Sequence, residues 1–229
     1  YLGGKRTIPE LNFAEPDFAE LYNVQWLKGV ACTGVNPEGK KVMLEDGTEV
    51  SYDKLLIATG SHTFIPPIKN LKEASNVIGF RNLEDIETLK DIAKTRKNFL
   101  IMGAGLVGLD CTSGLLELGV NVTMVEMANW LLCKQLDERA AKTYQDAFSA
   151  KGVKQYYGKG ITEAVLNEDG EITSMILSDG TEIACDYVVI TAGVRPNVEF
   201  LYGSGIETDR YGLLFDETGR TSDVNIYCA

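Results

Sequence analysis

The chain of 229 residues has a single histidine, His62, and no Cys-x-x-Cys pair. A zinc site would therefore lack ligands at usable spacing. The five cysteines (Cys32, Cys111, Cys133, Cys185 and Cys228) are odd in number and scattered. Cys111 and Cys185 fall in apolar elements and read as small buried side chains, and no cysteine is read as redox-active. No apolar run approaches the ~18 residues that a membrane-spanning helix needs, and no signal peptide is recognised. There is no long basic run, and the net charge is −11. Nucleic acid and anionic membranes are thus not the expected partners. A reducing, cytoplasmic setting is expected from the cysteine usage. What the chain does have is 45% hydrophobic residues, ample for a core in one large domain or two modest ones.

The most telling feature present is a glycine triad, Gly103-Ala104-Gly105-Leu106-Val107-Gly108, with Glu126 placed 18 residues behind Gly108. An apolar run, 98–102, leads into the triad, a helical pattern leaves it, and a second apolar run, 120–125, ends at Glu126. Strand, tight turn, helix, strand, acid is the order of a dinucleotide-binding fold. Gly103 allows the sharp turn, Gly105 a close backbone approach to a pyrophosphate, and Gly108 tight packing of helix on strand. The helix N-terminus supplies unpaired N–H groups and partial positive charge. Glu126 is placed to accept the adenosine ribose hydroxyls. A 2′-phosphate beside it would be a like-charge contact costing on the order of several kcal/mol. Lys134, the nearest following cation, is expected to lie a turn too far away to offset this. NADH is therefore predicted over NADPH.

Around this unit, residues 1–20 read as loop, and 24–50 as an alternating antiparallel meander with a hairpin turn at Asp46-Gly47. Leu55-Leu56-Ile57-Ala58 is a short buried strand, and residues 83–95 a helix with Leu83, Ile86, Leu89, Ile92 and Ala93 on one face. A long helix, capped by Asp137, is expected from Asp137 to Lys151. Strands follow after Gly152 and at 162–167, 172–177 and 186–191. Two segments, 41–58 and 172–192, share a pattern: an apolar strand, an Asp-Gly-Thr-Glu turn (Asp46 to Glu49, Asp179 to Glu182), then a strand ending near a glycine. The fold class is α/β: a Rossmann-like domain with an antiparallel meander, inserted into part of a second Rossmann-like domain. The predicted boundaries are 1–80 and 199–229 for the interrupted domain and 81–198 for the inserted one.

Four ordered motifs, Tyr52 to Ser61, Gly103 to Glu126, Ala192 to Asn197 and Thr221 to Ala229, resemble the pyridine nucleotide-disulfide oxidoreductase family. The resemblance covers essentially the whole chain. It implies a flavoenzyme in which hydride passes from NADH to FAD and on to an acceptor. Leu131 to Asp137 is similar to a segment of nitrite reductase large subunits and rubredoxin reductases. Tyr1 to Gly4 is similar to a stretch of coenzyme A-disulfide reductases and NADH oxidases. By position, Ala58-Thr59-Gly60 implies the segment closing over FAD, and Val30-Ala31 the strand end touching its adenine by backbone. Gly193 corresponds to the turn near the nicotinamide, and Asp110 to the carboxylate near nicotinamide and flavin, where the family usually has Glu. The bland reading of Asp110 is a solvated helix residue, and His62 reads as surface. The resemblance further implies a chain truncated at both ends, inactive alone, binding NADH but not FAD tightly, and a homodimer at full length. Two rivals are a non-catalytic NAD-binding sensor or interaction module and a methyltransferase. The Ala58-Thr59-Gly60 and Gly193 to Asn197 motifs have no role in the latter.

Overall fold

The computed structural model describes residues 1–12 and 14–229. The chain begins with a 3-10 turn at Pro9–Leu11, α1 (Phe18–Leu21), β1 (Cys32–Asn36), β2 (Lys41–Leu44), β3 (Glu49–Ser51), β4 (Leu55–Ile57) and β5 (Ser61–Thr63). Next come β6 (Val77–Gly79), α2 (Leu83–Ile92), β7 (Asn98–Met102), α3 (Leu106–Glu117), β8 (Asn121–Glu126), α4 (Glu138–Ala150) and β9 (Lys154–Tyr157). It ends with β10 (Ile161–Leu166), β11 (Ile172–Leu177), β12 (Glu182–Ala184), β13 (Tyr187–Ile190), β14 (Val194–Pro196), a 3-10 turn at Glu199–Leu201, β15 (Thr208–Asp209), β16 (Gly212–Leu213) and β17 (Ile226–Cys228). Two compact units result: Tyr1–Asn12 with Thr63–Gly193, and Phe13–His62 with Val194–Ala229.

The first unit is built on a five-stranded sheet in the order β6-β13-β7-β8-β9. Every neighbouring pair in it is parallel. Parallel sheets are covered on both faces, so their strands read as unbroken apolar runs while alternate residues enter different cores. Phe99 and Ile101 of β7, with Tyr187 and Val189 of β13, join one cluster with Leu89 of α2, Leu109 and Leu115 of α3, and Ala141 and Phe148 of α4. Leu100 and Met102, with Val188 and Ile190, join the opposite cluster with Ala164, Met175 and Ile183. That second face is roofed by the antiparallel sheet β10-β11-β12. α4 starts where Asp137 accepts the Ala140 N–H at 2.8 Å, as the sequence predicts. The segment 93–95, predicted as the end of a helix, lies outside α2, which stops at Ile92.

The division of the chain differs from the boundaries expected at 80/81 and 198/199. Residues 63–80 are tied into the first unit because β6 runs parallel to β13 and Leu71 is fully buried in the meander-side cluster. The side chain of Asn76, almost wholly buried, donates to the carbonyls of Ile172 and Asp186 at 2.9 Å each and accepts the Ile172 N–H at 2.6 Å. Such a side chain replaces several lost water contacts at once, which its burial requires. The amino-terminal segment belongs there as well. Leu2 is buried against Gly114 of α3, where an added Cβ would lie 2.7 Å from the Leu2 side chain.

The second unit contains the meander β1-β2-β3 and a parallel pair, β4 with β17. Its core is small: Val35, Ile57, Val198, Leu201, Ile206 and Ile226. The predicted strand over Val24 to Leu27 is absent. Val24, Trp26 and Leu27 are exposed, and among the described residues no strand pairs with them. The repeated Asp-Gly-Thr-Glu turn closes the same way in each unit. Asp46 accepts the Thr48 N–H at 2.9 Å, and Asp179 accepts the Thr181 N–H at 3.0 Å.

Candidate functional site

The carboxyl ends of β7, β8 and β13 open into a cavity of 420 Å³ within the first unit. Gly103, Ala104, Gly105, Glu126, Thr191 and Gly193 lie in its wall. In an open α/β sheet this end of the strands is where ligands bind. The three glycines have three different reasons to lack a side chain. Gly103 has φ of +112°, and a Cβ there would sit 2.9 Å from the Thr191 carbonyl oxygen. At Gly108 a Cβ would come within 2.2 Å of the Gly103 carbonyl, so α3 can approach β7 only without one. Gly105 has ordinary extended backbone and open space where its Cβ would stand, on the cavity side of the α3 N-terminus. The first two serve the fold. The third keeps the cavity clear beside a helix start, whose first N–H groups have no partner within the helix.

Glu126 ends β8 with its carboxylate already engaged. One oxygen accepts the Ala104 N–H at 2.7 Å and the other accepts the Ala128 N–H at 2.9 Å. Each oxygen keeps a further lone pair for a ligand hydroxyl. The acid thus ties the glycine loop to the segment that follows β8. That segment is pinned a second time, since the Leu132 N–H donates to the Ala104 carbonyl at 2.9 Å. Leu131 and Leu132 are buried, and Trp130 packs against the helix-side core while its Nε1 donates to the Leu136 carbonyl at 3.0 Å.

Thr191 was not singled out in the sequence reading. Its hydroxyl lies 3.0 Å from the carbonyls of both Met102 and Gly103, locking the end of β13 to the turn. Its position just before Ala192-Gly193 was the available signal. Gly193 has φ of +112° and open space around its missing side chain. Lys134 and Lys159 line the same cavity as Glu126. The Lys159 ammonium is 2.5 Å from Asp179, and its hydrogen bond holds the Asp179 carboxyl well below the usual range, helped by Thr181.

Not every predicted residue meets here. Leu106 and Val107 begin α3 with exposed side chains outside the cavity wall, and Asp110 is an exposed residue of the same helix, also outside it. Val30, Ala31, Ala58, Thr59 and Gly60 belong to the second unit. The Ala31 carbonyl accepts the Glu45 N–H at 2.9 Å, extending the β1–β2 ladder. Thr59 and Gly60 are knitted to Asn197: the Thr59 hydroxyl donates to the Asn197 carbonyl at 2.7 Å, and the Asn197 amide donates to the Thr59 carbonyl at 2.9 Å. The Asn197 N–H reaches the Gly60 carbonyl at 3.0 Å, and exposed His62 lies 2.7 Å from the Asn197 side-chain oxygen. The two motifs therefore form one bonded corner. Burial pushes the thiol pKa of Cys111 far up and that of Cys185 to about 12, which leaves both protonated and unreactive. Among the described residues no group of three or more His, Cys, Asp or Glu is placed to hold a metal, and no helix is long and apolar enough to cross a membrane.

A parallel sheet with a glycine turn, a covering meander and an acid after the second central strand defines a Rossmann-like nucleotide-binding class. Comparison with known proteins narrows this. The sequence profile of pyridine nucleotide-disulphide oxidoreductases matches residues 5–229, and the chain belongs to that family. It is 29% identical over 222 residues to the nitrite reductase (NADH) large subunit of Escherichia coli K12, covering 96% of this chain and 26% of that protein. It is 30% identical to the rubredoxin-NAD(+) reductase of Alcanivorax borkumensis, covering 97% of this chain and 57% of that one. A crystal structure of a ferredoxin reductase from Rhodopseudomonas palustris superposes with a TM-score of 0.89 at 28% identity, over all of this chain and 55% of that one. The chain thus spans between about a quarter and just over half of these relatives. Family membership sets aside the methyltransferase reading.

Proposed function

We propose that the 420 Å³ cavity is an NAD(H) site and that the chain is the nicotinamide-nucleotide-binding core of a flavin-dependent oxidoreductase. The observation that carries this is the meeting, in one cavity, of an unobstructed Gly105 at the α3 N-terminus and the Glu126 carboxylate. A dinucleotide needs both, a backbone approach for its pyrophosphate and an acceptor pair for its ribose. Gly103, Ala104 and Gly105 would carry the pyrophosphate, with Leu106, Val107 and Gly108 supplying first-turn N–H groups. Glu126 would hold the adenosine ribose through its free lone pairs, and Gly193 would leave room for the nicotinamide.

When bound, NADH would supply a hydride for the reduction of an FAD, whose chemistry is to relay electrons to an acceptor. The chain's own part is to fix the donor: two backbone N–H bonds keep Glu126 in place, and Thr191 keeps the turn closed. Val30, Ala31, Ala58, Thr59 and Gly60 are the proposed FAD-side residues, and the Thr59–Asn197 corner fixes the last of these. Asp110 is proposed as the carboxylate nearest the reacting rings. Like-charge repulsion at Glu126 favours NADH over NADPH.

The test is a fluorescence titration of the 229-residue chain with NADH, beside Gly105→Val. Saturable binding lost in the variant supports the reading. Absence of binding, or equal binding by both proteins, overturns it.

A further inference from the structure

We infer that Met127 is an oxidation site: a hydroperoxide converts its thioether to the sulfoxide, and the modified cavity loses affinity for nucleotide. The inference rests on the NAD(H) reading of the cavity.

Three observations carry it. First, Met127 stands apart from the other methionines of the chain. Of the five, Met102, Met124 and Met175 are buried. Met43 is 36% exposed and belongs to the second unit, where its terminal methyl lies over Gly34, 2.5 Å from the place a Cβ there would take. Met127 is 78% exposed. Oxidation follows access to the sulfur, so this one site should react well before the rest.

Second, the exposed thioether belongs to the cavity wall. Met127 follows Glu126 directly, and the Glu126 carboxylate spans it by accepting the Ala128 N–H at 2.9 Å. The Gly158 N–H donates to the Ala128 carbonyl at 2.8 Å and pins the same segment from the loop after β9. The Met127 side chain extends towards that loop, with its Cγ 3.8 Å from where a Cβ of Gly160 would stand. Lys159 and Ile161, on either side of Gly160, line the cavity as well. The thioether therefore forms an apolar, solvent-open edge between the acid and the loop after β9.

Third, oxidation changes that edge in kind. A sulfur lone pair attacks one peroxide oxygen, the O–O bond breaks and an S–O bond forms. The second oxygen takes the proton and leaves as water or an alcohol. Sulfur loses two electrons and the peroxide gains them. The product is larger and polar, and its oxygen carries partial negative charge. Beside the Glu126 carboxylate, it repels a polyanionic ligand and presents a polar group that a bound nucleotide would have to desolvate.

The experiment treats the 229-residue chain with hydrogen peroxide and then adds dithiothreitol, which returns oxidised thiols such as that of exposed Cys133. Peptide masses and the NADH dissociation constant are read on the same samples. Met127 is expected to gain one oxygen first, and the constant to rise about fivefold or more in step with that gain. Methionine sulfoxide reductase should restore it. Met127→Leu, titrated before and after the same treatment, should give one constant both times. First oxidation at Met43, or a Met127 sulfoxide that leaves the constant unchanged, would overturn the inference while the NAD(H) reading stands. A loss of binding that Met127→Leu suffers equally would assign the effect to another group and overturn it too. If the untreated chain does not bind NADH, the NAD(H) reading itself has failed and the inference falls with it.

Discussion

The two units of the chain show how differently the same kinds of element can be secured. In the first, five parallel strands are buried on both faces and two large clusters enclose them. In the second, a three-stranded meander and a two-stranded parallel pair share one small cluster. Large side chains there remain in solvent, among them Trp26, Leu56, Tyr202, Tyr211 and Phe215. Buried apolar area supplies most of the free energy that opposes chain entropy, so the first unit is the thermodynamic anchor. The cavity proposed for the nucleotide lies wholly within it. A cavity that must hold a carboxylate and a glycine turn in fixed register needs that rigidity.

The chain provides its own reporters for this contrast, since its two tryptophans divide between the units: Trp26 in the second, Trp130 in the first. In urea, with Trp26→Phe and Trp130→Phe variants read separately, the Trp26 signal should change at the lower concentration. Coincident transitions would mean that the chain unfolds as one cooperative body.

The largest mutational effect is expected at Gly108→Val. Its side chain would collide with the Gly103 backbone, where neither partner is the end of a flexible side chain. A loss above about 4 kcal/mol is expected, seen as early unfolding at Trp130, because overpacking against main chain has few ways to relax. Glu126→Ala comes next. It leaves the Ala104 and Ala128 N–H groups without their acceptor and should cost about 1–3 kcal/mol. It should also abolish the preference for NADH. Thr191→Val removes the hydroxyl held by the Met102 and Gly103 carbonyls and should cost about 1 kcal/mol by denaturation.

Acid should produce the smallest change. The Asp216 carboxyl in the second unit is held down to about 2 from 3.8, first by the Thr218 hydroxyl and backbone and then by the Arg220 backbone. A carboxylate depressed in the folded state stabilises fully above the unfolded value, and that contribution fades as pH falls from 3.8 towards about 2. Asp179 in the first unit is lowered as well, mainly by Lys159. Both groups are exposed, so a shallow loss in each unit below about pH 4 is expected, followed by the two tryptophan signals. A rise in stability over that range would contradict the assignment.

Much of the first unit was legible because double burial leaves an apolar run that hardly anything else in a globular chain resembles. Phe99 to Met102 and Tyr187 to Ile190 are such runs. The glycine turn was legible because steric demands at Gly103 and Gly108 are local. The short β6 was missed, since Val77 to Gly79 carries no period and is fixed by the distant strand β13 and the side chain of Asn76. The same long-range pairing moved the domain boundary. Val24 to Leu27 misled in the other direction: it has the composition of a strand but no pairing strand among the described residues. The place of Lys134 in the cavity wall depends on the left-handed turn at Leu132, which spacing along the chain does not announce. Thr191 and Asn197 act through hydrogen bonds to main chain remote in sequence, which no local pattern announces.

The most direct test of the central claim is a crystal structure of the chain grown with NADH. The ribose hydroxyls are expected against the Glu126 carboxylate, with the pyrophosphate over Gly105 at the start of α3. A nucleotide bound elsewhere, or one whose ribose has no contact with Glu126, would contradict the assignment of this cavity.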